Sequence, residues 1–199
     1  TMKPIYAFED ADSKNRMLLG GKGAGLSEMT RMKLPVSPGF TITTEVCNNY
    51  YENKKRLPKN LMDDVMKNIS KIEKKTGKKW NSSINPLLVS VRSGAAISMP
   101  GMMDTILNLG LNDQTVLGLA KKTNNPRFAW DSYRRFIQLF GKVVFGVKDE
   151  KFDEILDAAK KEEKVEDDSE LDVDSLKHIV TEYKKICEKH TRRKFPTRP

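Results

Sequence analysis

The stretch Leu-Leu-Gly-Gly-Lys-Gly-Ala-Gly, residues 18–25, places four glycines around Lys22 immediately before a helical stretch. Glycine lets the backbone adopt positive φ and approach a ligand closely. Free N–H groups at a helix start, together with an ammonium group, make an anion site of the kind that phosphates occupy. The stretch therefore indicates a loop that can bind a phosphate.

The spacing of these glycines matches neither of two common phosphate-binding motifs. The G-x-x-x-x-G-K-[ST] spacing is absent, and G-x-G-x-x-G fails because Leu26 stands where the third glycine belongs. Two interpretations stay open on the pattern alone. The stretch is either a phosphate loop or a glycine-rich turn that exposes Lys22, and the pattern favours neither.

A second unusual loop opens with Arg92, directly after the apolar run Leu87–Val91. Ligands of α/β folds gather at the carboxyl ends of strands, where a guanidinium can grip a phosphate through two hydrogen bonds. The methionines of residues 99–103 either pack against a flat base or fill gaps in the core. Asp104 either orients a donor or caps a helix that begins near Thr105, and the capping role is favoured.

The composition is that of a globular chain of 199 residues, with 38% hydrophobic and 32% charged residues. No apolar run approaches the length of a membrane span, and the first residues lack the layout of a signal peptide. Cys47 and Cys187 fit neither a metal-binding spacing nor a disulfide framework, so no metal site is expected. We expect a cytoplasmic protein without a membrane partner. An organelle location would require signals outside these residues.

The net charge of +9 raises the possibility of a nucleic-acid partner. Residues 1–110 hold most of the excess, with 17 Lys or Arg against 10 Asp or Glu. The lysines of residues 71–79 are typical of the solvated side and carboxyl end of a helix, where the helix dipole favours cations. No continuous basic face with interleaved aromatic residues accompanies them, so nucleic acid is not a predicted partner.

Hydropathy patterns divide the chain at about residue 111. Residues 1–111 read as an α/β part in which Leu87–Val91 forms an interior strand. Residues 112–199 read as a helical subdomain of the same domain, because apolar residues recur at helical spacing there. Cys47 is expected to be a small buried thiol and His178 a surface residue.

Five segments resemble the N-terminal nucleotide-binding domain of the pyruvate, phosphate dikinase family. They are LGGKGAGLSEM (19–29), LPVSPGFTITT (34–44), VSVRSGA (89–95), SMPGMMDTILNLGLN (98–112) and DSYRRFIQLF (131–140). The likeness runs in register from Ile5 to at least Phe145. The related phosphoenolpyruvate synthases share a G-G-K and an R-S element but lack S-M-P-G-M-M-D-T, which makes the resemblance specific.

The resemblance implies the first part of an ATP-grasp-type domain in a longer cytoplasmic enzyme, a homodimer. That enzyme converts pyruvate, ATP and phosphate to phosphoenolpyruvate, AMP and diphosphate through a swinging phosphohistidine domain. Lys22 and Arg92 match residues that bind the ATP phosphates and act in catalysis. Gly101, Met103, Asp104 and Thr105 match the loop that lies over the nucleotide.

The same resemblance implies that these 199 residues supply half of an ATP site. The carboxylates that hold Mg²⁺, the phosphohistidine and the pyruvate-binding domain are expected outside this chain. On this interpretation the chain alone is inactive. The alternative is a free-standing nucleotide- or protein-binding module derived from that domain, whose helical half recruits a partner.

Overall fold

The computed structural model describes residues 2–94 and 105–199. They fall into two compact units, one containing residues 2–77 with 93–94 and the other containing residues 78–92 with 105–199. Both units combine helices with a two-stranded antiparallel sheet. The α+β fold class that the sequence predicts is therefore confirmed.

The first unit packs three helices against a short pair of antiparallel strands. Its elements are β1 (Ile5–Ala7), α1 (Arg16–Arg31), β2 (Phe40–Ile42), α2 (Thr44–Glu52) and α3 (Leu61–Thr76). The strands β1 and β2 pair with Ile5 opposite Ile42. Ile5, Val46 and Leu61 form the buried core, so one residue from each of β1, α2 and α3 meets there. Burial of these side chains is what joins the three elements.

Helix α3 shows why this part of the chain is helical. Leu61, Ile69 and Ile72 are buried on one face, as their spacing of three and four predicts. The helix ends at Gly77, which takes the left-handed conformation with φ 71° that glycine adopts without strain. Lys75 near the carboxyl end forms an ion pair with Glu9.

The second unit contains a strand hairpin and four helices. Its elements are β3 (Val89–Arg92), β4 (Thr105–Leu109), α4 (Thr115–Thr123), α5 (Pro126–Phe145), α6 (Asp149–Glu163) and α7 (Val173–Thr191). Every residue from 112 to 199 is described, and none of them lies in a strand. The predicted helical character after residue 111 is confirmed, while the division of the domain at that position stays a prediction.

Helix α5 lies at the centre of the second unit's core. Tyr133 and Ile137 are almost fully buried, and α7 contributes Ile179 and Tyr183. Phe152 of α6 packs edge-on against Tyr183, with ring centroids 4.9 Å apart. These are the helical stripes that the apolar spacing predicts.

A buried cation on α5 is fully paired. Arg134 is 3% exposed, and its Nε and Nη2 donate to Asp131 Oδ1 at 2.9 and 2.8 Å. The side chain of its neighbour Arg135 is exposed and forms an ion pair with Asp131. About two turns earlier in α5, Arg127 donates to the carbonyl oxygens of Leu171 and Asp168. Helix α5 thereby holds the acidic segment before α7 in place.

The predicted interior strand at Leu87–Val91 is wrong. The strand begins at Val89, pairs with β4 alone among the described residues, and leaves Val91 46% exposed. Leu87 is buried, but it precedes the strand. A short apolar run predicts burial without specifying how many strands flank it, which is why the prediction failed.

The turn between β4 and α4 depends on Asn112. Its Oδ1 accepts from the backbone N–H groups of Gln114 and Thr115, and its Nδ2 donates to Asn81 Oδ1 and to the carbonyl of Thr197. The side chain therefore caps α4 and joins two distant segments of the second unit.

We expect Asn112→Ala to lower the free energy of unfolding by about 2–3 kcal/mol, because it removes the cap and both outward hydrogen bonds. Asn112→Ser keeps an acceptor for the cap but is too short to bond Asn81 or Thr197. Its decrease in the free energy of unfolding should therefore be about half as large. Urea denaturation followed by circular dichroism measures both. A serine variant as stable as the wild type would show that the outward bonds contribute nothing.

Candidate functional site

The glycine-rich segment is helical, with a single break. Helix α1 runs through residues 16–31, but Gly20 has φ 72° and ψ 168°, so the helix is interrupted there and restarts. The predicted loop is thus reduced to one residue, because the backbone freedom of one glycine is enough to kink the chain. Lys22 lies two residues after the break, in the first turn of the restarted helix.

This break leaves the start of a helix beside Lys22. The first N–H groups of any helix have no intrahelical partner, and the helix dipole makes that end attractive to anions. Lys22 is half-buried, and Gly23 next to it is buried. The predicted combination of helix-start N–H groups and an ammonium group is therefore present, although within α1 rather than before it.

Close packing fixes the position of this helix start. A Cβ on Gly23 would lie 2.8 Å from Thr41 Oγ1 and 2.9 Å from Thr41 Cγ2, so α1 approaches β2 as closely as glycine permits. A Cβ on Gly94 would lie 3.8 Å from the Cβ of Lys22. The segment that follows Arg92 therefore passes the stem of Lys22.

The second predicted site residue, Arg92, ends strand β3. It is exposed, and the register of the hairpin sets it directly opposite Thr105, the first residue of β4. Side chains directly opposite on antiparallel strands point to the same face, with Cβ atoms about 5 Å apart. The structure thus brings together two residues that the sequence analysis assigned to the nucleotide.

Thr105 corrects one expectation of the sequence analysis. A helix was predicted to begin near this residue, but Thr105 begins β4 instead, because its T-I-L-N-L sequence pairs with the V-S-V-R of β3. The other predicted loop residues, Gly101, Met103 and Asp104, lie outside the described residues.

Two further residues singled out from the sequence have different outcomes. Cys47 is exposed on α2, so the prediction of a buried thiol is wrong. Val46 is the buried residue of that helix, and Cys47, the next residue, lies outside its buried face. His178 is exposed on α7, as predicted.

Among the helices of the described ranges, none combines the length and apolar character that a membrane crossing requires.

Comparison with known proteins identifies the family. Residues 16–132 match the family model described as "Pyruvate phosphate dikinase, AMP/ATP-binding domain". The chain belongs to this family. The matched range includes α1 with Lys22, the β3–β4 hairpin with Arg92 and Thr105, and the start of α5. The family is the one that the sequence segments resemble, so that prediction is confirmed.

Curated pyruvate, phosphate dikinases from distant organisms align with the whole chain. The protein of Entamoeba histolytica is 55% identical over 198 residues, covering 100% of this chain and 22% of that protein. The protein of Clostridium symbiosum is 49% identical over 198 residues, covering 99% of this chain and 23% of its own length. The chloroplastic protein of Flaveria pringlei is 47% identical over 203 residues, covering 100% of this chain and 21% of that protein. The chain spans about a fifth of the length of these relatives.

Sequence reasoning missed two residues that shape the backbone near the candidate site residues. Thr41 contacts the glycine next to Lys22, and Asn108 interrupts strand β4 with φ 60°. The signal for Asn108 was available, because asparagine is unfavourable in strands and enriched in the left-handed conformation. Nothing in the sequence pattern indicated the contact with Thr41.

The two glycines that flank Ala24 allow a matched test of the packing. Gly23→Ala should lower the free energy of unfolding of the first unit by about 1–2 kcal/mol, because the stiff, β-branched Thr41 cannot move aside. Gly25→Ala should raise it by about 0.5–1 kcal/mol, because nothing lies within 4 Å of the new Cβ and alanine favours a helix. Thermal and urea unfolding measure both, and equal effects would contradict the close approach of α1 to β2.

Proposed function

We propose that this chain is the ATP-binding portion of a pyruvate, phosphate dikinase. That enzyme interconverts ATP, pyruvate and phosphate with AMP, phosphoenolpyruvate and diphosphate through a phosphohistidine. The observation that carries the proposal is the register of β3 and β4, which sets the guanidinium of Arg92 and the hydroxyl of Thr105 on one face. Family membership supplies the identity of the reaction, and the relatives carry that name.

In this proposal Arg92 and Lys22 neutralise the phosphates of ATP. A guanidinium donates two parallel hydrogen bonds to a phosphate, and an ammonium acts as a point charge. Gly94 follows Arg92 by two residues, and a Cβ on Gly94 would lie 3.8 Å from the Cβ of Lys22. Gly101, Met103, Asp104 and Thr105 are proposed to complete the nucleotide contacts.

These cations are proposed to act in the chemical step as well as in binding. Negative charge spreads over the phosphoryl oxygens as the group leaves, and positioned donors stabilise that charge without reorganising. Lys22 is held by the close packing of α1, and Arg92 by strand pairing. This restraint of the backbone at both residues supports a role for them in the chemical step.

The described residues do not fit the Mg²⁺ that such an enzyme requires. Residues 2–94 and 105–199 contain no group of three or more His, Cys, Asp or Glu side chains that could hold a metal ion. The carboxylate ligands are therefore proposed to lie in other parts of the enzyme, and no step is assigned to the metal here. Pyruvate, phosphate, the phosphohistidine domain and a second subunit are proposed partners of the whole enzyme in the cytoplasm or an organelle.

Arg92→Ala should weaken ATP binding by about 10- to 100-fold, because it removes charge-assisted hydrogen bonds worth about 1.5–3 kcal/mol. Arg92→Lys should fall between the alanine variant and the wild type, since it keeps the charge but loses the bidentate fork. NMR titration of the chain with ATP measures the affinities. Arg56→Ala, another exposed arginine, is the matched control and should leave the affinity within twofold. Equal losses of ATP affinity in the Arg92→Ala and Arg56→Ala variants would contradict the proposal that Arg92 binds the phosphates.

The isolated chain should bind ATP weakly, with a Kd of roughly 0.1–1 mM, and should not turn over. The reason is that only part of the charge on a triphosphate is neutralised by Lys22 and Arg92 when no metal ligands accompany them. Isothermal titration calorimetry with and without Mg²⁺, and a coupled assay for phosphoenolpyruvate, test the two statements. Tight Mg²⁺-dependent binding, or steady phosphoenolpyruvate formation by these 199 residues, would overturn them.

A further inference from the structure

Strand β4 contains one residue more than its partner. Val89 pairs with Leu109, and Val91 pairs with Ile106, so the single residue Ser90 lies opposite both Leu107 and Asn108. Asn108 has φ 60°, the left-handed conformation that marks such a bulge. Asparagine adopts this conformation more readily than other residues with a side chain.

The bulge decides which side chains share a face of the hairpin. Residues directly opposite each other point to the same side, and successive residues alternate. With the bulge, Ile106 and Leu109 both face the core, although they are three positions apart. The outer face then carries Arg92, Thr105 and Leu107.

Without the bulge the strand would have a second register. If Leu109 stayed opposite Val89 and the alternation were regular, Leu107 would come opposite Val91 and Ile106 opposite Arg92. Thr105 would then turn to the core face, away from Arg92. A slip of one residue in a strand always exchanges the two faces in this way.

The two registers bury a similar apolar area. In the observed register Ile106 is 8% exposed and Leu107 is 44% exposed. The slip would bury Leu107 in place of Ile106. Both side chains have four carbons, so the apolar area removed from water would change little. The conformation of residue 108 then distinguishes the two registers, because most residues other than glycine and asparagine avoid the left-handed region.

We propose that Asn108 is the positioning residue of the nucleotide site: by accepting the left-handed conformation it keeps Thr105 opposite Arg92 on the outer face. This inference rests on the proposed function, since it assigns these two side chains to the phosphates. The backbone carbonyl of Asn108 also accepts from the N–H of Leu111, at 3.3 Å, which ties the bulge to the turn that follows. Asn108 itself is not proposed to touch the nucleotide.

Substitutions at residue 108 test the proposal on the whole 199-residue chain. Asn108→Gly should keep the register, because glycine adopts positive φ without cost. Asn108→Val should favour the slipped register by about 10-fold or more, because a β-branched residue is rarely found at positive φ. The readouts are backbone NOEs between Arg92 and Thr105, the ATP affinity from NMR titration, and the melting temperature. If circular dichroism shows that the valine variant is unfolded, Asn108→Ala replaces it, because alanine disfavours positive φ less strongly than valine does.

The expected result is that the valine variant loses the Arg92–Thr105 NOEs and binds ATP at least 10-fold more weakly, while the glycine variant matches the wild type in both. A valine or alanine variant that keeps the NOEs, or loses them with unchanged affinity, overturns the role of Asn108 and leaves the proposed function intact. If ATP shifts no resonance of Arg92 or Thr105 in the wild type, the proposed function fails, and with it this inference.

Discussion

The close contact between Gly110 and the carbonyl oxygen of Leu87 is the constraint on which the second unit depends. Gly110 has φ 121°, and a Cβ there would lie 2.8 Å from that oxygen and 3.2 Å from the ring of Trp80. No residue with a side chain fits both the conformation and the space. The contact sets where β4 ends, and the cap of α4 by Asn112 begins two residues later.

Several groups converge just beyond this point. Asp113 accepts from the hydroxyl of Tyr133 at 2.9 Å and from Lys184 at 2.5 Å, so the turn is bonded to both α5 and α7. Burial and the nearby carboxylate raise the pKa of Tyr133, so its hydroxyl stays protonated and donates. The hairpin that carries Arg92 is therefore attached to the helical core through a short, fully bonded turn.

The helices could be predicted from the sequence because apolar spacing reports burial directly. The residues of α5 and α7 that recur at three and four are the ones that pack in the core. The strand prediction at Leu87–Val91 failed because a run of apolar residues does not say how many neighbours a strand has. The glycine-rich stretch was predicted as a loop, but only Gly20 leaves the helical conformation, since glycine permits a break without requiring one.

The candidate site residues stand out in the sequence where charge and backbone freedom coincide. Lys22 and Arg92 stand out because a cation beside glycines, or directly after an apolar run, points to a phosphate. The role of Thr41 depends on the distance between α1 and β2, which a single sequence does not encode locally. Asn108 carries a local signal for the left-handed conformation, but the register that it sets depends on pairing with β3. The resemblance to the dikinase family supplied what residue chemistry left open, namely the proposal that both cations bind ATP.

Because the two cysteines differ in burial, labelling of their thiols can be used to follow unfolding of the second unit. Cys47 is exposed, whereas Cys187 is buried in α7, and burial raises the pKa of the Cys187 thiol to about 11. Because only a thiolate reacts rapidly with alkylating reagents, a maleimide at neutral pH labels the first unit at Cys47 alone while the second unit is folded. A second label attaches at Cys187 only after the helical core has opened. The fraction of doubly labelled chains, measured by mass, therefore reports how much of the protein has opened.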